Sequence, residues 1–283
     1  MAKQIHWFPG HMNKALTEVK KKIKLVDVVI ELLDARAPLS SINENLEKII
    51  NNKKTLIVLT KDDLADPKQT KVWIEQLKKQ YSQIITLNLK NSGSELILAK
   101  AVIALGKEKW EKQKAKGMKP QPIKAMILGV PNVGKSSLIN RMAKRKVAGV
   151  QNKPGFTRGE QWIKVNQDFL LMDTPGILPM NYEDQQKATK LALIGSIRED
   201  ILPNEVLVDY LLKFLKDKYP NALKERFEIL EIKDKESVLH QIANKRKLLD
   251  STGQDDLLRA EFLLLKEFKD GLLGKITLEH YES

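Results

Sequence analysis

The clearest chemical signal in the chain is a segment bounded by glycines that ends in lysine and serine. Residues 129–136 read G-V-P-N-V-G-K-S, which matches the pattern G-x-x-x-x-G-K-[ST]. Glycine lets backbone N–H groups converge on phosphate oxygens, and a helix that begins at such a loop adds partial positive charge. Lys135 would place a cation against the outer phosphates, and the Ser136 hydroxyl could bind Mg²⁺. The predicted phosphate-binding residues are Asn132, Val133, Gly134, Lys135, Ser136, Ser137 and, from the segment described next, Gly176.

Two further segments have the chemistry of a γ-phosphate and metal site. Residues 173–176 read D-T-P-G directly after an apolar run, so that the Asp173 carboxylate could hold Mg²⁺ through water and the Gly176 N–H could approach the γ-phosphate. Thr157 lies in a polar loop between the two motifs and could give Mg²⁺ a second hydroxyl ligand. The predicted Mg²⁺ ligands are therefore Ser136, Thr157 and Asp173.

Two segments that precede the phosphate motif in the chain have the chemistry of a guanine site. Residues 60–63 read T-K-D-D and resemble the motif N-K-x-D, in which the last Asp accepts from guanine N1–H and N2–H₂, a donor pair that adenine lacks. Residues 88–90 read N-L-K, where GTPases carry S-A-K, whose backbone N–H reads guanine O6. Thr60 stands where the motif has Asn, and one lost hydrogen bond of about 1 kcal/mol predicts weaker nucleotide binding with guanine selectivity kept. The predicted guanine-binding residues are Thr60, Lys61, Asp62, Asp63, Asn88, Leu89 and Lys90.

The elements that must position these segments follow from the apolar pattern. Short β-branched runs alternate with helical periodicity, and each motif follows the end of a run, which is where ligands gather in an open α/β sheet. We therefore predict an α/β fold with a mainly parallel sheet over residues 1–183, containing a basic linker at about residues 107–124. Helical periodicity alone continues after residue 184, which predicts a smaller all-helical domain over residues 184–283.

The amino-acid composition excludes several classes of protein. The 283 residues include no cysteine, which excludes a disulfide scaffold, a zinc ribbon and a thiol nucleophile. No apolar run approaches the roughly 20 residues of a membrane span, and the N-terminus lacks an apolar signal core, so a soluble cytoplasmic protein without a membrane partner is expected. The net charge of +13 resides in the first two thirds of the chain and favours a polyanionic partner such as nucleic acid.

The order of the motifs is permuted. Ordinary GTPases carry the base motifs after the phosphate motifs, whereas here the base motifs come first. Two further motifs accompany this order: W-F-P-G-H-M at residues 7–12 and D-A-R-A-P at residues 34–38. On these grounds the whole chain resembles the RbgA (YlqF) family of circularly permuted ribosome-biogenesis GTPases. The resemblance implies a Ras-like P-loop domain and hydrolysis of GTP to GDP. It also implies binding to the immature large (50S) ribosomal subunit late in assembly, stimulation by that subunit, rRNA contacts from the C-terminal helices and a monomer off the ribosome.

Two residues carry hypotheses about the hydrolytic step. Ras-like GTPases use a Gln soon after D-x-x-G to orient water, whereas Ile177 follows Gly176 here. The resemblance assigns that role to a histidine of the N-terminal segment, which is His11, an imidazole able to orient or deprotonate water near pH 7. Asn132 suggests a K⁺ ligand, since some GTPases with Asn at this position place K⁺ where an arginine finger would act.

Three alternatives remain open from the sequence. The first is an RNA- or translation-associated GTPase that is not dedicated to the large subunit. The second is a phosphate-loop kinase. The sequence has no lid-like arginine cluster, which argues against it. The third is an RNA-binding module with a vestigial loop. The presence of every charged and hydroxyl residue of the motifs argues against it.

Overall fold

A computed structural model describes residues 10–50, 52–143, 162–174, 176–178, 185–197 and 201–281, with the backbone alone for residues 10–12. The strands are β1 (Val28–Asp34), β2 (Lys54–Thr60), β3 (Gln83–Leu87), β4 (Ile123–Gly129), β5 (Trp162–Lys164) and β6 (Phe169–Met172). The helices are α1 (Gly10–Lys22), α2 (Pro38–Ser41), α3 (Glu44–Ile50), α4 (Pro67–Leu77), α5 (Ser94–Ala115), α6 (Lys135–Met142), α7 (Gln185–Leu193), α8 (Asn204–Lys218), α9 (Ala222–Phe227), α10 (Lys235–Arg246) and α11 (Leu257–Lys269).

The strands form one sheet in the order β3-β2-β1-β4-β6-β5, and only β5 is antiparallel to its neighbour. Every residue of β1 is buried, as expected for a central parallel strand with helices on both faces. The register pairs Asp34 with Thr60 and Leu32 with Gly129, so the carboxyl ends of β1, β2 and β4 lie side by side. The predicted mainly parallel α/β fold is confirmed, and from α7 onward the described residues form helices, turns and one isolated bridge.

Local chemistry explains several element boundaries. The Asp66 carboxylate accepts hydrogen bonds from the backbone N–H groups of Lys68 and Gln69, and Pro67 occupies the first helical position, so α4 begins where the sequence predicts. Asp234 and Asp256 cap α10 and α11 in the same manner. Each capping bond joins residues two or three positions apart, so these helix starts are encoded locally.

The segment that the sequence predicts as a linker, residues 107–124, is mostly helix and strand. Helix α5 continues to Ala115 and β4 begins at Ile123, so residues 116–122 alone connect them. Pairs of opposite charge one turn apart, such as Lys112 with Glu108 at 2.5 Å, support the last turns of α5. The basic composition of this segment therefore marks a solvated helix rather than a flexible connection.

The end of the chain returns to the sheet and fastens the helical part to it. The Ile276 N–H donates to the Leu64 carbonyl at 3.1 Å, and the Trp73 indole N–H donates to the Glu279 carbonyl at 2.7 Å. The Glu279 carboxylate accepts from the backbone N–H groups of Leu39 (2.6 Å) and Ser40 (3.1 Å), which caps the N-terminus of α2. Partners about 240 positions apart leave no local sequence signal, so this docking was not predicted.

A buried carboxyl group in the centre of the sheet predicts a pH-dependent stability. Both oxygens of Glu31 are buried without a hydrogen-bond partner among the described residues, and burial together with the nearby Glu47 charge raises its pKa to about 8. The unfolded chain ionises this group above its ordinary pKa of about 4.3, so its contribution to stability is complete below that pH and is lost as pH rises to 8.

We expect Glu31→Gln to raise the free energy of unfolding at pH 8 by about 4–5 kcal/mol, while changing it little at pH 4. Urea denaturation of both proteins between pH 4 and pH 8 measures this difference. Glu75→Gln is the matched control, because Glu75 is an exposed carboxylate paired with Lys78. Parallel stability curves for wild type and Glu31→Gln would contradict the assignment.

Within the described ranges, no helix is both long enough and apolar enough to span a membrane.

Candidate functional site

The carboxyl ends of the strands open into a cleft of about 1270 Å³ between the sheet and the C-terminal helices. One wall carries residues of the predicted base and phosphate segments, and the other carries residues of the helical part. The lining from the sheet side is Arg36, Lys61, Asp63, Leu64, Asn88, Leu89, Lys90, Asn132, Val133, Gly134 and Ser137. The lining from the helical side is Ile194, Gly195, Ile197, Asn204, Phe262, Leu265, Lys266, Lys269 and Asp270.

The phosphate motif forms the turn between β4 and α6. Gly129 and Gly134 have positive φ angles of 147° and 112°, and a Cβ atom on Gly129 would lie 2.7 Å from the Leu32 carbonyl oxygen. Asn132 also has a positive φ of 57°, a conformation that Asn tolerates better than most residues. This backbone opens directly into α6, which begins at Lys135, so the loop has the strand–turn–helix context of a phosphate site.

Lys135 lies buried under the loop. Its Nζ donates to the carbonyls of Gly129 at 3.1 Å and Val130 at 2.7 Å, and burial lowers its pKa to about 7. A phosphate group would offer this ammonium the negative partner that its burial requires. The D-T-P-G segment contacts the same loop, because a Cβ on Gly176 would lie 2.8 Å from Pro131 Cα and 3.0 Å from the Lys135 Nζ.

Asp173 provides the test of whether the site fits Mg²⁺. Its Oδ1 is buried without a hydrogen-bond partner among the described residues, and burial raises its pKa to about 6 against the opposing charge of Lys135. A buried carboxylate oxygen lacking a donor and the half-buried Ser136 in the first turn of α6 supply the hard oxygen ligands that Mg²⁺ prefers. The residues present therefore fit the ion, while Thr157 lies outside the described residues.

Thr60 performs a different task from the one that the sequence suggests. Its hydroxyl donates to the Val133 carbonyl at 2.7 Å, its side chain is fully buried, and it does not line the cleft. The hydroxyl also lies 3.2 Å from the Leu33 carbonyl oxygen, and the shorter contact to Val133 joins the base segment to the phosphate loop.

Of the other residues in the base segment, Lys61 and Asp63 line the cleft and Asp62 does not. The Asp63 carboxylate pairs with the Lys90 Nζ at 2.8 Å, an exposed pair that guanine would displace at little cost. The Lys90 N–H donates to Asn88 Oδ1 at 2.8 Å, so in this segment the Leu89 N–H is the candidate donor for guanine O6. Leu89 also contacts the phosphate loop, since a Cβ on Gly134 would lie 3.2 Å from its Cδ1.

Ile177 occupies the core, and this explains why it cannot replace the water-orienting Gln. It is fully buried in one apolar cluster with Leu16 and Val19 of α1, and its carbonyl accepts from Asn43 Nδ2 at 3.1 Å. Gly10, in the W-F-P-G-H-M segment, is the first residue of α1. His11 follows as the second residue of that helix, and its side chain lies outside the described residues.

Sequence reasoning missed the contribution of the helical part to this cleft. Asn132 Nδ2 donates to the Gly195 carbonyl at 2.8 Å, and Arg36 donates to the Ile194 carbonyl at 3.1 Å. The D-A-R-A-P motif was a usable signal, because it places an acidic and a basic residue at the end of an apolar strand, but the sequence alone gives Arg36 no partner.

Comparisons with known proteins show which family the chain belongs to. Residues 124–249 match the family described as 50S ribosome-binding GTPase. The chain is 44% identical to ribosome biogenesis GTPase A of Bacillus cereus over 276 residues, which cover 97% of this chain and 93% of that protein. The chain belongs to the ribosome biogenesis GTPase A family. Ribosome biogenesis GTPase A of Thermotoga maritima is 31% identical over 278 residues, covering 98% of this chain and 94% of that protein.

Solved structures of the same family share the fold. The GNP-bound crystal structure of YlqF from Thermotoga maritima aligns with a TM-score of 0.69 at 28% identity, covering 94% of this chain and 98% of that one. The GDP-bound form aligns with the same TM-score at 27% identity, covering 94% of this chain and 100% of that one. The chain is thus a circularly permuted P-loop GTPase of ribosome assembly, and GTPases of this class use Mg²⁺.

Proposed function

We propose that this GTPase binds the immature large ribosomal subunit and couples GTP binding and hydrolysis to a late step of its assembly. We further propose that the subunit stimulates hydrolysis, that residues 184–283 form the domain that contacts rRNA, and that the protein is a cytoplasmic monomer off the ribosome. The observation that carries the nucleotide part is one cleft shared by Lys61 and Asp63 of the base segment and by Asn132–Gly134 of the phosphate loop. The names of the relatives, the description of the matching family and the basic charge of residues 1–183 support the ribosomal part.

Different residues of the chain would bind the base, the phosphates and the metal ion. Asp63 accepts from the guanine N–H groups, the stem of Lys61 packs along the base, and the Leu89 N–H donates to guanine O6. The loop N–H groups and Lys135 bind the phosphates, and Ser136, Thr157 and Asp173 hold Mg²⁺, which neutralises charge on the phosphate oxygens when it is bound. Gly176 leaves room for the outer phosphate beside the loop.

His11 is the residue that we propose as catalytic. This assignment is supported by α1, which packs through Leu16 and Val19 on the same cluster as Ile177, immediately after the D-T-P-G segment. An imidazole carried by the first turn of that helix would orient or deprotonate the attacking water.

We expect His11→Ala to lower subunit-stimulated GTP turnover about 100-fold while GTP affinity changes little, because the imidazole acts on water and not on the nucleotide. Single-turnover hydrolysis with and without purified large subunits measures the first quantity, and calorimetry measures the second. His240→Ala is the matched control, since His240 pairs with Asp255 in the helical part. Wild-type turnover in His11→Ala would remove the catalytic assignment.

A monovalent cation is the second testable element. The Asn132 amide nitrogen is committed to the Gly195 carbonyl, which leaves its amide oxygen as the ligand atom for K⁺. We expect GTP turnover to be about 10-fold faster in K⁺ than in Na⁺ at matched ionic strength, because a bound K⁺ would stabilise the negative charge that develops in the transition state. Equal rates in the two buffers would reject the ion.

Co-sedimentation tests the ribosomal partner directly. We expect the protein to pellet with immature large subunits in the presence of a non-hydrolysable GTP analogue and to remain largely in the supernatant with GDP. Equal binding to small subunits, or binding that ignores the nucleotide, would favour the alternative of a GTPase not dedicated to the large subunit.

A further inference from the structure

Arg36 of the D-A-R-A-P motif forms a buried ion pair with Asp34 at the end of β1. Its Nε donates to Asp34 Oδ1 at 2.9 Å and its Nη2 donates to Oδ2 at 2.8 Å, a bidentate arrangement in which both side chains are almost fully buried. Burial alone would raise the pKa of Asp34, but the charges of Arg36 and Lys61 outweigh it and hold the carboxylate below its usual range. The pair is therefore fully charged at neutral pH.

The remaining donors of Arg36 reach into the helical part. Nη2 also donates to the Ile194 carbonyl at 3.1 Å, and Nη1 donates to the Lys269 carbonyl at 3.2 Å. Ile194 directly follows α7, and Lys269 is the last residue of α11. Carbonyls at helix C-termini lack intrahelical partners and carry partial negative charge, so one guanidinium ties the ends of two helices to the sheet.

Asp34 is at the same time bound to the base segment. Lys61, which lines the cleft at the second position of T-K-D-D, places its Nζ 2.8 Å from Asp34 Oδ2. The same oxygen thus accepts from Lys61 on one side and from Arg36 on the other. A continuous chain of charge-assisted hydrogen bonds runs from the guanine segment through Asp34 and Arg36 to the ends of α7 and α11.

A second and independent connection starts from the phosphate loop. Asn132 Nδ2 donates to the carbonyl of Gly195, the residue next to Ile194. Consecutive carbonyls after α7 therefore accept one hydrogen bond from the phosphate loop and one from Arg36. The end of α7 is thus hydrogen-bonded directly to the phosphate loop, and it is linked to the guanine segment through Arg36 and Asp34.

We propose that Arg36 is a positioning residue that couples occupation of the guanine site to the docking of the C-terminal helical part, through Asp34 and Lys61. The proposal rests on the guanine site proposed above. A base lying on the Lys61 stem restrains that side chain, keeps its Nζ on Asp34 and so favours the docked position of Arg36. Rigidity that the nucleotide imposes at one end lowers the entropic cost of docking at the other.

Coupling between two sites is reciprocal, so the coupling between GDP binding and helix docking can be measured from either side. If docking of the helix ends tightens GDP binding about 10-fold, a typical coupling, GDP must shift the docking equilibrium of those helix ends about 10-fold towards the docked state. The amides of residues 190–197 and 266–272 report undocking by hydrogen–deuterium exchange, because they lie at the helix ends that Arg36 contacts.

The experiment compares exchange with and without saturating GDP in wild type and in Arg36→Lys. Lysine keeps a charge beside Asp34 but loses the planar fork that reaches both carbonyls. We expect GDP to slow exchange about 10-fold at both segments in wild type and hardly at all in Arg36→Lys, with GDP affinity about 10-fold weaker in the variant.

Arg226→Lys is the matched control, because Arg226 forms a similar bidentate pair with Glu267 on α11 wholly inside the helical part. It should keep the full effect of GDP. Lys61→Gln is the second variant, needed if Arg36→Lys fails to fold: it leaves Arg36 in place, and at a GDP concentration that calorimetry shows to saturate the variant, GDP should no longer slow exchange at either segment.

The outcomes separate the two proposals. Wild-type protein that binds GDP in calorimetry without slower exchange at these segments would overturn the coupling, as would a full response in Arg36→Lys. Absence of GDP binding itself would instead overturn the proposed guanine site.

Discussion

Replacing Lys135 by methionine is expected to lower GTP turnover about 1000-fold, the cost of removing a charge clamp from a transferring phosphoryl group. GTP affinity should fall by about 10- to 100-fold, because a charge-assisted hydrogen bond is worth about 1.5–3 kcal/mol. Lys135 is buried and its pKa is lowered by burial to about 7, so methionine removes a desolvated charge without leaving a cavity. The variant should therefore melt no lower than wild type in the absence of nucleotide.

Melting curves with and without GTP and Mg²⁺ separate binding from folding. Wild type should be stabilised by the nucleotide through mass action, and Lys135→Met should lose most of this shift. Lys109→Met is the matched control, because Lys109 is a partly buried lysine paired with Asp27 at the opposite end of the sheet. A normal GTP-dependent shift in Lys135→Met would contradict the phosphate site.

Asp63→Asn is expected to reverse the choice of base. The carboxylate accepts from guanine N1–H and N2–H₂, whereas an asparagine amide presents a donor to that edge and leaves a guanine N–H group unpaired. Sites built around such hydrogen bonds reject the wrong partner by about 10⁴-fold, so GTP affinity should fall about 1000-fold or more. Xanthosine triphosphate carries a carbonyl in place of the N2 amino group and should bind the variant better than GTP.

Competition between GTP and xanthosine triphosphate, measured by calorimetric titration, reports the reversal. Asp62→Asn provides the control, because Asp62 is the neighbouring carboxylate and does not line the cleft. It should keep the wild-type preference for GTP. If Asp63→Asn still preferred GTP, the base would have to bind elsewhere.

The parts of the fold that sequence predicts are those governed by local chemistry. The strand Lys54–Thr60 and the start of α4 at Pro67 follow from a β-branched run and an Asp-Pro cap, and the structure confirms both. Ligand residues at strand ends are predictable for the same reason, since carboxyl ends of parallel strands meet at one edge. The permuted order did not weaken this inference, because a sheet depends on strand pairing and not on chain order.

The features that sequence did not predict depend on contacts between distant segments. Glu279 caps α2 from about 240 residues away, and Arg36 reaches the ends of α7 and α11. Thr60 presents a departure from the guanine motif in the sequence, yet its buried hydroxyl preserves the tie to Val133. Within the basic stretch, residues 107–115 are the end of α5 and residues 116–122 form the connection to β4, a boundary that composition alone does not locate.

The central claim is that segments around residues 60 and 135 form one pocket for a guanine nucleotide. Calorimetric titration of the purified protein with GDP and with ADP, each in Mg²⁺ buffer, tests it most directly. We predict one binding site for GDP, with heat that disappears in Asp63→Asn, and no heat with ADP. Equal affinity for the two nucleotides, or no heat with GDP, would contradict the claim.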